Sequence, residues 1–310
     1  MGRRAPTSAP SSSPGGPGRG AGASPSRPRP LRRYGQNHLV DTNVLAAIVR
    51  QAAVGPDDVV LEVGAADGLL TRPLLARARL VHAFEVDRRF ATPLAELAAY
   101  EPRLRLHLED ALRVPLAGLD PPPTALVANL AYNIAIPLIM TTLTALPTVQ
   151  RWAVMVQKEL SERLFAAPGT KAYAAVSVLV QLACALEHVR PVARSAFRPR
   201  PRVDSVFLTF TRRPARRDGS WHVDGERLTP GDYEALGTLV RSAFARRRKQ
   251  LATSLGEAAP GAGVAGRHGG RAAVAGALAS VGAPARARPE ELAPAQWVAF
   301  ARALGVLARP

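Results

Sequence analysis

The spacing of apolar and polar positions changes character along the chain. Between residues 31 and 213 short β-rich apolar runs recur: "VVLEV" at 59–63, "LVHAFEV" at 80–86, "RLRLHLE" at 103–109, "TALVAN" at 124–129 and "WAVMVQ" at 152–157. Stretches with helical periodicity, roughly ten or more residues each, separate most of them. Such alternation predicts a doubly wound, mainly parallel sheet. One further run with period-2 character, "VDSVFLTFTRR" at 203–213, precedes a polar break, "RRPARRDGS". Beyond it the periodicity is helical only, in "DYEALGTLVRSAFARRRKQLATSL", "RAAVAGALASVG" and "PEELAPAQWVAFARALGVL". The expected fold is therefore α/β: a Rossmann-like domain over 31–213, then a small helical domain over 214–310. No internal repeat is evident.

Composition adds to this picture at three points. Apart from Met1 and Thr7, residues 1–30 are Pro, Ser, Gly, Ala and Arg with no aromatic residue and no acid, so they cannot bury enough surface to fold alone. They are expected to form a disordered basic tail, either solvated or touching phosphates. Across the 310 residues the formal charge is +17, which suggests a polyanionic partner, nucleic acid first and anionic membrane second. Only Lys158, Lys171 and Lys249 of the 41 basic residues are lysines. The single cysteine, Cys184, excludes a disulfide within the chain and a cysteine-based metal cluster, and it fits a cytoplasmic protein. No apolar run reaches the ~18 residues of a membrane span, and no apolar core follows the N-terminal arginines as a signal peptide requires. No metal and no membrane are expected, and a monomer is the default.

The candidate chemistry lies at the carboxyl ends of the predicted strands, where open α/β sheets bind ligands. "VLEVGAADGLLT" (60–71) follows the first core strand and opens a helix. Gly64 and Gly68 permit a tight turn and close approach of a ligand. Glu85 follows at the end of the second strand, placed to accept from both hydroxyls of a ribose. Asp110 ends the third, where a carboxylate can accept from an adenine amino group. Together these residues favour an adenosine-containing cofactor over three unrelated surface acids. A dinucleotide site wants a third glycine, but Ala66 stands at that position. Glu62, just before the turn, suits a cationic or zwitterionic ligand and repels phosphate. The residues therefore favour S-adenosylmethionine.

"NLAYN" (129–133) then lies at the end of the fourth strand. An exocyclic amine on a base is a poor nucleophile, because its lone pair is delocalised into the ring. The side-chain oxygen of Asn129 and the carbonyl of Leu130 can accept its two hydrogens, and Tyr132 can stack on a flipped base. Fixed dipoles there stabilise the charge that builds on nitrogen. The bland alternative is a helix cap at Asn129 and a packed Tyr132.

Nine motifs occur in order: "RRYGQNHLVD" (32–41), "LEVGAADGLLT", "FEVDRR" (84–89), "EDAL" (109–112), "NLAYN", "VMVQKELSERL", "PGTKAYAAVSVLVQ", "FRPRPRVDS" (197–205) and "FARRRKQLATSL" (244–255). The chain resembles the rRNA adenine N6-dimethyltransferases, specifically the KsgA (RsmA) branch, over roughly residues 31–305. The resemblance implies dimethylation of two adjacent adenosines in the 3′-terminal hairpin loop of 16S rRNA, within the assembling small ribosomal subunit. It implies S-adenosylmethionine contacts at Asn37, Leu39, Gly64, Glu85, Asp110 and Asn129. Gln36 and Asn37 would form a lid, and Phe197 a second aromatic wall for the target base.

This sequence departs from the family at three places. Ala131 stands where Pro is usual. Ala66 replaces the middle glycine, tolerable if its φ stays negative. His38 replaces Phe and is expected to pack as Phe would. Phosphate contacts are expected from Arg198, Arg200 and Arg202 beside the base pocket. Others are expected from Arg246, Arg247, Arg248 and Lys249 around one helical turn. The rivals are the Erm branch, which modifies one adenine of 23S rRNA, a non-catalytic assembly factor, and a mitochondrial-type transcription factor.

Overall fold

The computed structural model describes Gly2 and residues 37–131, 133–256 and 270–308. The rest of the 1–30 tail, Gln36 and Tyr132 lie outside the described residues. In chain order the elements begin with β1 (His38–Leu39), α1 (Thr42–Gln51), β2 (Val59–Val63), α2 (Thr71–Leu75), β3 (Leu80–Phe84), α3 (Ala91–Tyr100) and β4 (Leu104–His107). Then come β5 (Ala125–Asn129), α4 (Ala135–Ala145), β6 (Arg151–Gln157), α5 (Lys158–Leu164), α6 (Ala175–Ala183), β7 (Cys184–Val192), β8 (Phe197–Arg198) and β9 (Ser205–Arg212). The chain continues through β10 (Trp221–Val223), β11 (Glu226–Leu228), α7 (Pro230–Phe244), α8 (Leu251–Gly256), α9 (Gly270–Ser280) and α10 (Pro294–Ala303).

Seven strands form one sheet in the order β4-β3-β2-β5-β6-β9-β7. The first five run parallel, and β9 inserts antiparallel to both β6 and β7. The order reverses between β2 and β5, which opens a crevice at their carboxyl ends. β2 and β3 are buried at every position, as strands covered on both faces must be. The six expected strands are present: β2 spans its apolar run, β6 starts one residue before its own, and β3, β4, β5 and β9 are one to three residues shorter than theirs.

Three local readings differ from the structure. β7 has no counterpart among the expected strands. It follows α6 without a turn residue, and its middle is exposed and carries Glu187, His188, Arg190 and Pro191. Pairing with β9, with an irregularity between Leu186 and His188, makes it a strand; its own sequence resembles a polar edge. Residues 214–310 are not purely helical, because β10 and β11 form a hairpin. The long apolar run beginning at Asp232 is two helices, broken after Phe244.

The helical part packs directly on the sheet. One apolar cluster joins Trp152, Val154 and Phe210 to Leu236, Leu278, Trp297 and Phe300, all buried. Buried polar tips are satisfied across this junction: the Tyr233 hydroxyl donates to the Leu179 carbonyl at 3.0 Å and the Tyr173 hydroxyl to that of Leu292 at 2.9 Å. α7 starts at a capping box in which Thr229 and Asp232 exchange side-chain and backbone bonds. Among the described residues no helix is long and apolar enough to cross a membrane.

Candidate active site at the carboxyl edge of the sheet

The turn after β2 is built from three left-handed residues: Gly64 at φ 84°, Ala66 at φ 49° and Gly68 at φ 79°. The amides of Gly64 and Ala65 both donate to the Phe84 carbonyl, at 2.8 and 3.2 Å, which pins the turn to the end of β3. The expectation of a negative φ at Ala66 is thus overturned. The turn keeps its glycine geometry, and the Ala66 methyl sits where Cβ meets the following carbonyl, at about 1–2 kcal/mol. Ala66→Gly should therefore raise Tm. Part of the relief is offset by the greater freedom of Gly in the unfolded chain, leaving a gain of about 2 °C. Differential scanning calorimetry of the variant decides it, and a lower Tm would contradict the strain.

Around this turn lies a cavity of about 240 Å³, lined among others by Glu62, Gly64, Glu85, Asp110, Asn129 and Phe197. Glu85 directly follows β3 and is 5% exposed. One carboxylate oxygen accepts from the Ala66 amide and the other from the Asp87 amide, both at 2.8 Å. Burial raises its pKa, while those amides pull it down. Each oxygen keeps a second lone pair for a ligand. Asp110 lies three residues beyond β4 rather than at its end. Its Oδ1 accepts from the Leu112 amide at 3.0 Å, which orients the carboxylate at the cavity rim.

Glu62 is the unusual group. It is 1% exposed, and neither carboxylate oxygen has a hydrogen-bond partner. Burial pushes its pKa from 4.5 up to about 8; the Thr71 hydroxyl offsets part of this, and the charges of Glu85 and Asp67 add to it. The folded protein thus holds a proton there that the unfolded chain releases near pH 4.5. Stability from this group is full below pH 4.5 and falls as pH rises to about 8. Glu62→Gln should flatten that decline and melt higher than the parent at pH 8. Parallel melting curves of the two proteins from pH 5 to 8 would refute this.

A two-stranded ribbon closes one side of the cavity. β1 pairs antiparallel with β8, setting Leu39 opposite Phe197 and His38 opposite Arg198. The amides of Val40 and Asp41 extend the pairing to the Ala196 carbonyl. Phe197 is 1% exposed and belongs to the apolar cluster under β1 while lining the cavity, so it is both a core residue and a wall. His38 packs edge-on against Phe90 with ring centroids 5.6 Å apart, the packing role expected of it.

The ribbon also brings Asn37 to Asn129. The Asn129 Nδ2 donates to the Asn37 carbonyl at 3.1 Å. A carbonyl only accepts, so this bond fixes which end of the amide is the NH2 group and leaves Oδ1 as the acceptor end. The Leu130 amide donates to the Met155 carbonyl at 3.1 Å, so the backbone stays tied to β6 one residue beyond β5. Leu130 and Ala131 line the cavity, and Tyr132 lies outside the described residues.

The basic residues divide. Arg198, Arg200 and Arg202 are exposed on the segment that leaves the cavity wall. Arg246–Lys249 occupy a turn between α7 and α8, not a helical turn. Three of them are exposed, but Arg247 is folded back onto Thr170, Lys171 and Glu290.

Residues 30–268 match the model of a family described as ribosomal RNA adenine dimethylase. The chain belongs to that family. A "Ribosomal RNA small subunit methyltransferase A" from Thermobifida fusca is 39% identical over 278 residues, covering 88% of this chain and 90% of the relative. A protein of the same name from Rubrobacter xylanophilus is 39% identical over 275 residues, covering 89% and 95%. Among solved structures, the 23S rRNA methyltransferase ErmE superposes with a TM-score of 0.62 at 27% identity, covering 87% of this chain and all of its own. A dimethyladenosine transferase from Plasmodium falciparum has the same fold, with a TM-score of 0.68 at 24% identity over 86% of this chain and 98% of its own.

As a ribosomal RNA adenine dimethylase the chain is an rRNA adenine dimethyltransferase with a Rossmann-like methyltransferase sheet. Glu62 lines the dimethylase cavity, and the sequence already marks it, since a carboxylate inside an apolar strand is anomalous. Met155, Ser205 and Phe207 line the floor from the antiparallel pair β6 and β9 and carry no local signal. Among the described residues no group of three or more His, Cys, Asp or Glu could hold a metal.

Proposed function

We propose that this dimethylase transfers methyl groups to N6 of two adjacent adenosines in the 3′-terminal hairpin loop of 16S rRNA, during small-subunit assembly in the cytoplasm, with S-adenosylmethionine as donor. The observation that carries the reading is the Asn129 amide, held by the Asn37 carbonyl with its acceptor end presented in the same cavity as Glu85 and Asp110.

The residues present fit the donor. Glu62, buried and without a hydrogen-bond partner, suits an ammonium group, and ionises when a cation faces it. Gly64, Asn37 and Leu39 give backbone access, Glu85 suits ribose hydroxyls, and Asp110 suits an adenine amino group. S-adenosylmethionine supplies a methyl carbon on a positively charged sulfur. Asn129 Oδ1 and the Leu130 carbonyl accept the two hydrogens of the target amine, turning its lone pair out of the base plane. Both oxygens would stabilise the positive charge that builds on the amine nitrogen, being already in place before reaction. The proton then passes to water. Phe197 would form one wall for the extruded base, its ring taking the place of a stacked neighbour, and Tyr132 is the residue expected for the other.

The chain divides at 213/214 into a methyltransferase domain, which carries the chemistry and part of the rRNA surface, and a helical rRNA-binding domain. Arg198, Arg200, Arg202, Arg246, Arg248 and Lys249 supply phosphate contacts; specificity comes from RNA shape and the extruded base. The small-subunit reading takes further support from relatives at 39% identity that bear that name.

The test offers labelled S-adenosylmethionine with small subunits lacking the two dimethyladenosines and, separately, protein-free 23S rRNA. Mass spectrometry locates the label. Four methyls on adjacent small-subunit adenosines are expected. Label on 23S rRNA alone would make this an Erm-type enzyme, and binding without label would leave an assembly factor.

A further inference from the structure

The segment "PGTK" at 168–171 belongs to neither the cavity nor the exposed basic turn, yet it is bonded to the latter. Arg247 Nη1 donates to the Lys171 carbonyl at 2.9 Å and Nη2 to the Thr170 carbonyl at 3.1 Å. Its Nε faces Glu290 at 3.6 Å. The Glu290 carboxylate is only 17% exposed, and its backbone carbonyl accepts from the Gly169 amide at 2.6 Å. All three guanidinium nitrogens are therefore directed at protein groups. Three segments meet at this one side chain: the loop between α5 and α6, the turn between α7 and α8, and the turn before α10. Two carbonyls and a carboxylate in a fork match a planar guanidinium and cannot be matched by a lysine.

The consequence for charge is specific. Arg246, Arg248 and Lys249 point to solvent, and the Arg247 bonds set Lys171, also exposed, beside them. We infer that Arg247 is not a phosphate contact but a positioning residue. It locks the 168–171 loop of the sheet domain to the helical part, so that Lys171 joins Arg246, Arg248 and Lys249 in one phosphate-binding surface. This rests on the rRNA reading above.

A simple count of charges predicts a different outcome for two variants. Glu290→Gln removes an acid beside a surface that attracts RNA, so electrostatics alone would tighten binding. If Glu290 and Arg247 hold the loop, the same change raises KM for the small subunit several-fold and leaves kcat unchanged. The second variant pair is a cycle on salt dependence, measured with the full chain and small subunits lacking the dimethyladenosines. Lys171→Ala alone should lower the slope of log K against log salt by about 1. Arg247→Ala should lower it similarly, and the double variant no further, because both remove the same contact. Arg246→Ala serves as the direct-contact control and should add to Lys171→Ala. Additive slopes for Arg247 and Lys171, or tighter binding by Glu290→Gln, would overturn the inference while leaving the rRNA reading standing. Absence of salt-dependent binding by the parent chain would overturn both.

Discussion

Asn129→Ala lowers kcat for methyl transfer by at least about 100-fold, the scale seen when one fixed transition-state dipole is removed, while rRNA binding survives. The loss is of this size because, in the proposed mechanism, Asn129 acts on the charge that forms at the amine and not on the bound substrate. Its amide nitrogen is held by the Asn37 carbonyl, so the acceptor end is in place before reaction. Alanine leaves the Leu130 carbonyl as the sole acceptor and also frees the Asn37 carbonyl on the ribbon. Single-turnover methylation with saturating small subunits separates chemistry from binding. Methyl incorporation at the parent rate would sink the mechanism. An equal loss of rRNA affinity would place Asn129 in the binding surface instead.

Glu85→Ala weakens cofactor affinity by at least about 100-fold, since hydrogen bonds to a charged group contribute about 1.5–3 kcal/mol each and two ribose hydroxyls are lost. A second effect acts on the protein itself. Both carboxylate oxygens already accept backbone amides, from Ala66 and Asp87, and these donors are orphaned by the substitution. The Ala66 amide belongs to a turn that is already strained. Glu85→Gln is therefore no conservative control: its NH2 group must face one of two N–H donors, so it too is expected to bind poorly. Calorimetric titration with S-adenosylhomocysteine reads the affinity without turnover. Near-parental affinity in Glu85→Ala would remove this carboxylate from the cofactor site.

Much of this site is legible in the sequence because its parts are local. A glycine turn after an apolar strand, an acid just after the next strand and an amide ending the fourth each announce themselves within a few residues. Doubly wound topology then brings them together, since successive parallel strands end on one edge. The charged turn at Arg246–Lys249 shows the limit of such reading. Four consecutive bases look equivalent in sequence, but Arg247 differs from its neighbours only through Thr170, Lys171 and Glu290, remote in the chain.

The sequence by itself determined the α/β alternation, the candidate site at the carboxyl edge and the basic character, because period, turn chemistry and net charge are properties of short segments. Only the tertiary structure decided the rest. "AVSVLVQLACALEHVRPV" turns from helix to strand between Ala183 and Cys184 with no breaker, and the partner strand β9 makes that choice. Ala66 adopts φ 49° against its own preference because the Gly64 and Ala65 amides are bound to Phe84 and its own amide to Glu85. The Glu62 pKa is raised because its neighbours in space exclude water; the apolar strand around it marks the carboxylate as anomalous but not how deeply it is buried. In each case contacts between distant segments outweigh a local preference worth about 1–2 kcal/mol.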